Sequence, residues 1–196
     1  MVLPRREKVK TLEGFIVMPQ ALLRGRVVID GERITGVEGA PVADAAWRGG
    51  GAPILLPGFI DLHVHGGGGA DTMQAGDAID TIARTHAQHG TTALLATTMT
   101  APHDEIEAAL RALAPACSTR SQGAARVLGV HLEGPYISPD KLGAQPSFAA
   151  VPDIAAILAL HAIAPIRVLT LAPELPGAIE AIAALVAAGK IGRAHV

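Results

Sequence analysis

Pro57-Gly58-Phe59-Ile60-Asp61-Leu62-His63-Val64-His65-Gly66-Gly67-Gly68-Gly69 decides how the rest of the chain is read. It has the form of a buried strand that ends in two histidines and opens into a glycine loop. Phe59, Ile60, Leu62 and Val64 supply apolar, partly β-branched content. Side chains alternate along a strand, so His63 and His65 face the same way, roughly 7 Å apart at Cβ. One cation can take a nitrogen from each ring. The glycines that follow carry no side chain to block a ligand. On a solvated strand face the same pair would do nothing. The flanking Pro-Gly and four glycines instead mark a barrel-type strand whose C-terminal end opens into a cleft.

Downstream of this stretch, strand and helix alternate. Helices are expected over 78–89, 103–114, 152–161 and 176–188. Strands are expected over 91–97, 126–132 and 166–171, after the first at 60–65. Asp77 stands at an N-cap position and Gly90 just past a helix end. Such alternation implies βαβ units and a parallel sheet. The fold class is therefore α/β: a partial (β/α)8 TIM barrel made of its first four βα units.

Upstream, residues 1 to about 20 carry no periodic signal. Gly25 to Val37 has the pattern of a β-hairpin turning at Asp30-Gly31 as a type I′ pair. A hairpin does not hold itself together, so it must pair with further strands. Residues 1–55 are expected to be an N-terminal β segment, and 56–190 the barrel portion.

Ile191 to Val196 lacks the apolar character of the earlier strands and is expected to be a non-native tail. Its codons can be written ATC-GGA-AGA-GCA-CAC-GTC, which resembles a sequencing adapter, so the reading frame is expected to be truncated there. His195 is given no role for that reason. Resequencing the locus tests this. A half barrel with two open strand edges is also expected to aggregate.

Composition narrows the function classes. Of 196 residues, 49% are hydrophobic and only 3% aromatic, an Ala-rich globular profile. The net charge of −2 and the lack of a basic stripe argue against nucleic acid as a partner. No apolar run reaches the length of a membrane span, which argues against a membrane partner. The single Cys117 excludes a disulfide framework and fits a reducing, cytoplasmic setting.

A second stretch carries chemistry: Gly129-Val130-His131-Leu132-Glu133-Gly134-Pro135-Tyr136. It ends the third strand with a carboxylate beside Gly-Pro. Active sites of parallel barrels lie at the C-terminal strand ends, so His63, His65 and Glu133 converge. Two imidazoles and a carboxylate suit a zinc-like or iron-like divalent ion with open positions for water. Such an ion lowers the pKa of bound water toward 7, which is hydrolase chemistry. His131 shares Glu133's face but lies deeper and is expected to be a packed core histidine. Asp61 shares a face with His63 and is expected to be a buried carboxylate, either supporting the metal ligands or structural. His86, His89, His103 and His161 fall on or beside helices and are expected at the surface.

Residues 57–66 resemble the first barrel strand of the amidohydrolase superfamily. His131-Leu132-Glu133-Gly134-Pro135 and Thr170-Leu171-Ala172-Pro173-Glu174 resemble the more specific signature of N-acetylglucosamine-6-phosphate deacetylases. The resemblance implies removal of acetate from N-acetyl-D-glucosamine 6-phosphate, one or two divalent ions of zinc or iron, and a homodimeric parent. It also implies a small β-sandwich capping the barrel, to which the N-terminal segment contributes.

Position by position, His63 and His65 match ligands of a second metal present in some members. Glu133 matches the glutamate ligand that active members need. Ala144 and Gln145 match the substrate-contacting pair. The chain departs from the pattern where Gln145 replaces the usual histidine and Pro146 the usual Asn-Pro. The family's two later histidine ligands and its catalytic aspartate lie on strands absent from this sequence. A catalytically inactive fragment, or another amidohydrolase acting on a C–N amide bond, are the alternatives.

Overall fold

The computed structural model describes residues 9–189 and 191–194, and the chain divides into two compact units, Met1–Pro57 and Gly58–Val196.

In the first unit, β1 (Lys10–Met18), β2 (Ala21–Asp30) and β3 (Arg33–Val42) form an antiparallel meander. A short 3-10 turn at Ala46–Gly49 leads to β4 (Ile54–Leu55), which pairs parallel with β1. The sheet order is β3-β2-β1-β4. Phe15, Ile16, Leu22 and Val27 are its buried apolar residues.

Two expectations change here. Lys10–Met18, read as patternless, is a nine-residue strand. Its only buried side chains are the consecutive Phe15 and Ile16, while Leu12, Val17 and Met18 are exposed, so no period of two is written into it. The hairpin turns one residue later than Asp30-Gly31. Asp30 pairs with Arg33, leaving Gly31-Glu32 as the loop. Only Gly31 has positive φ (58°), which excludes type I′ and matches type II′.

The second unit begins with β5 (Phe59–Val64), a two-residue pair β6 (Gly66–Gly67) and β7 (Ala70–Asp71), and α1 (Ala78–Gln88). It continues through β8 (Thr91–Thr97), α2 (His103–Ser118), β9 (Arg126–Glu133), α3 (Ile154–Ile163), β10 (Ile166–Leu171), α4 (Ala178–Ala187) and β11 (Ile191–Ala194). The five long strands pair in parallel in the order β5-β8-β9-β10-β11. Each strand thus lies beside its predecessor and the order never reverses. That winding belongs to a (β/α)8 barrel, not to a doubly wound sheet.

Apolar residues from both layers meet between sheet and helices. Leu94, Val130, Leu132 and Leu169 come from the strands, and Ile82, Ile106, Leu110 and Leu160 from the helices. Each such side chain contributes about 1.5–3 kcal/mol by leaving water. Helix α3 is opened by Asp153, whose carboxylate accepts the Ala156 N–H, so Pro152 precedes the helix. Helix α2 runs through Pro115 to Ser118, past the expected end at Ala114. In the final turn a proline removes one hydrogen bond without interrupting a long ladder.

β5 is not the buried strand that its sequence predicts. Phe59, Ile60 and Leu62 are 59%, 62% and 54% exposed, and only Val64 is buried. β8 is its one long partner among the described residues, so these apolar side chains have no layer to enter. Within the stretch expected to be a non-native tail, β11 forms. Residues 191–194 pair in parallel with 168–171, although their sequence promised no strand. Main-chain hydrogen bonding to an open edge does not require an apolar sequence. His195 lies outside the described residues.

Candidate metal centre

β5 and β9 deliver the three donors. The chain leaves β5 at Val64, whose N–H donates to Thr97 Oγ1 at 2.9 Å. The His63 N–H donates to Asp61 Oδ1 at 3.1 Å, so the half-buried Asp61 braces the backbone just before His63. At the end of β9, the Glu133 N–H donates to Thr98 Oγ1 at 3.1 Å. Thr98 is fully buried, so the backbone of Glu133 is fixed from the neighbouring strand.

The side chains then meet as their spacing predicts. His65 Nε2 lies 2.9 Å from Glu133 Oε2, and His63 Nε2 lies 3.8 Å from the same oxygen. The two imidazole rings stand edge to face, 4.7 Å between centroids. One ligand atom from each of the three residues lies within 4.8 Å of the others. Glu133 is the least accessible, its side chain 14% exposed against 41% for His63 and 31% for His65. A mostly buried carboxylate with two imidazole nitrogens aimed at one of its oxygens is a donor set that fits a divalent cation.

Electrostatics follow the contact. The hydrogen bond to Glu133 raises the His65 pKa above its ordinary value, against partial burial that opposes it. The same hydrogen bond holds the Glu133 carboxyl below the usual carboxylate range, helped by the charges of the surrounding histidines.

Two histidines beside the site, and a third away from it, make contacts that were not legible. His131 is a packed core residue, as expected, at 1% exposure. Its Nε2 lies 2.8 Å from Thr170 Oγ1, and its Nδ1 lies 3.0 Å from the Leu62 carbonyl and 3.3 Å from His63 Nδ1. It therefore ties β5 to β10 directly behind His63. His86 is not a surface residue. It is half-buried and its Nε2 lies 3.0 Å from the Gly66 carbonyl, one residue after His65. The signal was available: Ile79, Ile82, Ala83 and His86 fall at the spacing of one helix face. His161, also expected at the surface, is half-buried and accepts the Ile166 N–H at Nδ1.

Ala144 is exposed, in the loop after β9. Gln145 beside it is half-buried, and its Nε2 donates to Glu133 Oε2 at 3.0 Å. Among the described residues no helix is long and apolar enough to cross a membrane.

Residues 54–191 match the sequence model of the amidohydrolase family, whose members depend on metal ions. A protein of Escherichia coli O157:H7 called N-acetylgalactosamine-6-phosphate deacetylase is 44% identical over 136 residues, covering 67% of this chain and 36% of its own length. The Bos taurus N-acetylglucosamine-6-phosphate deacetylase is 37% identical over 187 residues, covering 90% of this chain and 44% of its own. A solved structure of the Mycobacterium smegmatis N-acetyl-D-glucosamine-6-phosphate deacetylase, in complex with N-acetyl-D-glucosamine 6-phosphate, superposes with a TM-score of 0.80 at 32% identity. The match covers 96% of this chain and 50% of that one. The chain thus spans about half the length, or less, of the relatives it matches.

Proposed function

Because the chain belongs to the amidohydrolase family, we propose that the whole protein hydrolyses the acetamide of N-acetyl-D-glucosamine 6-phosphate. The products are acetate and D-glucosamine 6-phosphate. The convergence of His63, His65 and Glu133 at the strand ends is the observation that carries this reading. The names of the relatives supply the substrate class.

Each residue has a definable task. His63 and His65 offer neutral imidazole nitrogens, and Glu133 offers the negative charge that a cation needs to stay bound. When bound there, a divalent ion of the zinc or iron type activates water and polarises an amide carbonyl. His131 fixes the ring of His63 from behind, and His86 fixes the glycine turn after His65. The glycines at 66–69 keep the mouth of the site free of side chains. Ala144 and Gln145 contact the sugar. Gln145 offers a hydrogen-bond donor without a charge.

The test is acetate release from N-acetyl-D-glucosamine 6-phosphate by the complete gene product with added zinc, beside its Glu133→Ala variant. Loss of turnover in the variant supports the reading; unchanged turnover sinks it. The Escherichia coli O157:H7 relative favours a second substrate, the C4 epimer N-acetyl-D-galactosamine 6-phosphate. The ratio of kcat/KM for the two sugars decides between them. Running the 196-residue chain in parallel shows whether it is active by itself or is an inactive fragment.

A further inference from the structure

We infer that Gln145 is a positioning residue for Glu133: it ties the loop after β9 to the metal-binding carboxylate. The inference rests on the metal-centre reading above and deepens it. Gln145 is held at both ends of its amide. Its Oε1 accepts the Thr100 N–H at 2.7 Å, and its Nε2 donates to Glu133 Oε2 at 3.0 Å. Its own N–H donates to the Leu142 carbonyl at 3.0 Å, closing a turn that sets the side chain's direction.

Thr100 is fully buried in the connection between β8 and α2, so the anchor lies outside the loop that carries Gln145. Among the described residues the second Nε2 proton faces only Met99 Sδ at 3.6 Å, a weak acceptor. That proton is free to serve a sugar oxygen while the first stays on the carboxylate.

The oxygen that Gln145 holds is the one on which His65 and His63 also converge. A carboxylate oxygen accepts more than one hydrogen bond, so a cation there need not displace the amide. A hydrogen bond from a fixed donor keeps the carboxylate in one rotamer and lowers the cost of ordering it when a cation binds. Metal affinity and the placement of the substrate loop are then coupled through one side chain.

The experiment measures zinc affinity of the purified chain by competition with a chromophoric chelator, and the visible spectrum of bound cobalt. Gln145→Met, close in length but without amide hydrogen bonds, is expected to weaken zinc binding about 10- to 100-fold and to shift the cobalt bands. Gln145→His, which restores a donor, is expected to recover most of that loss. Wild-type affinity and an unchanged cobalt spectrum in Gln145→Met would overturn the inference.

Glu133→Ala separates the two readings. Loss of zinc binding in Glu133→Ala with wild-type binding in Gln145→Met refutes the positioning role alone. Wild-type binding in Glu133→Ala refutes the metal centre and this inference with it. Should Gln145→Met fail to fold, hydrogen exchange of the Gln145 side-chain amide in the wild-type chain decides. Protection that disappears in Glu133→Ala supports the role, and exchange at the free-amide rate in the wild type refutes it.

Discussion

His65 Nε2 and Glu133 Oε2 stand 2.9 Å apart although different strands deliver them, and this contact raises the pKa of His65 and lowers that of Glu133. The same two atoms belong to the donor set that would hold a cation, so a proton on His65 and a cation compete for them.

Removing the carboxylate should remove the site. Glu133→Ala leaves two imidazoles, one of them with its strongest neighbour gone. Zinc affinity should fall on the order of 100-fold or more, since loss of a ligand exceeds the tenfold to hundredfold cost of losing its supporting contacts. Isothermal titration with zinc checks this, and a wild-type Kd would remove Glu133 from the ligand set. The pKa of His65 should also fall back toward that of an ordinary histidine, visible in the ring-proton NMR shifts of the variant.

Zinc uptake should release a proton from His65. Its folded pKa is raised, so its stabilising effect on the metal-free fold is complete below about 6.5 and fades as pH rises through the raised value. Glu133 has a lowered folded pKa, so its effect is complete above about 4.3 and is lost as pH falls through the lowered value. The pair is fully formed between these limits, where a cation must displace its proton. Titrations in two buffers of different ionisation enthalpy should show protons released on zinc binding, in a number that falls as pH rises through the raised value. A count independent of pH across that range would contradict the pairing.

The sequence made the donor triad legible because metal chemistry constrains residue type and barrel winding constrains position. Thr91–Thr97 and Ile166–Leu171 were legible end to end, since each is an apolar run bounded by Gly or Pro. Lys10–Met18 was not, because what makes it a strand is pairing with β2, and partner strands leave no mark on local periodicity. The exposure of Phe59, Ile60 and Leu62 was hidden for the same reason: burial is a property of neighbours, not of composition. Gln145 was legible as a loop residue after the third barrel strand. Its hold on Glu133 depends on how the loop folds back to Thr100, which no spacing encodes.

Tyr136 is the only tyrosine in the chain, so alkaline absorbance reports on it alone. It is 3% exposed, and burial, with a smaller contribution from the Asp153 charge, pushes its pKa up to about 12. The fold thus favours the neutral phenol. Its contribution to stability is complete below about 10 and is lost as pH climbs toward 12. Tm should fall more steeply over that interval in the wild type than in Tyr136→Phe. Parallel Tm profiles, with the folded chain titrating at 295 nm near pH 10, would mean that the ring is not buried as described.

Gly134→Ala should damage both the fold and the metal centre. Gly134 has φ of 72°, a region that costs a residue with a side chain about 1–3 kcal/mol. A Cβ there would overlap Thr100 Oγ1 and come within 2.8 Å of Thr100 Cα, so Thr100 must move. Thr100 is the anchor of Gln145, and Gly134 follows Glu133 directly, so the displacement reaches the carboxylate from two sides. Gly177, at the start of α4, provides the control: it has φ of 77° but open space around its Cβ position. Gly177→Ala should show the backbone cost alone, a drop in Tm of about 2–12 °C. Gly134→Ala should lose more than that and should also bind zinc more weakly, whereas Gly177→Ala keeps wild-type affinity. Equal effects of the two substitutions on Tm and on zinc binding would show that the Thr100 contact does not transmit to the site.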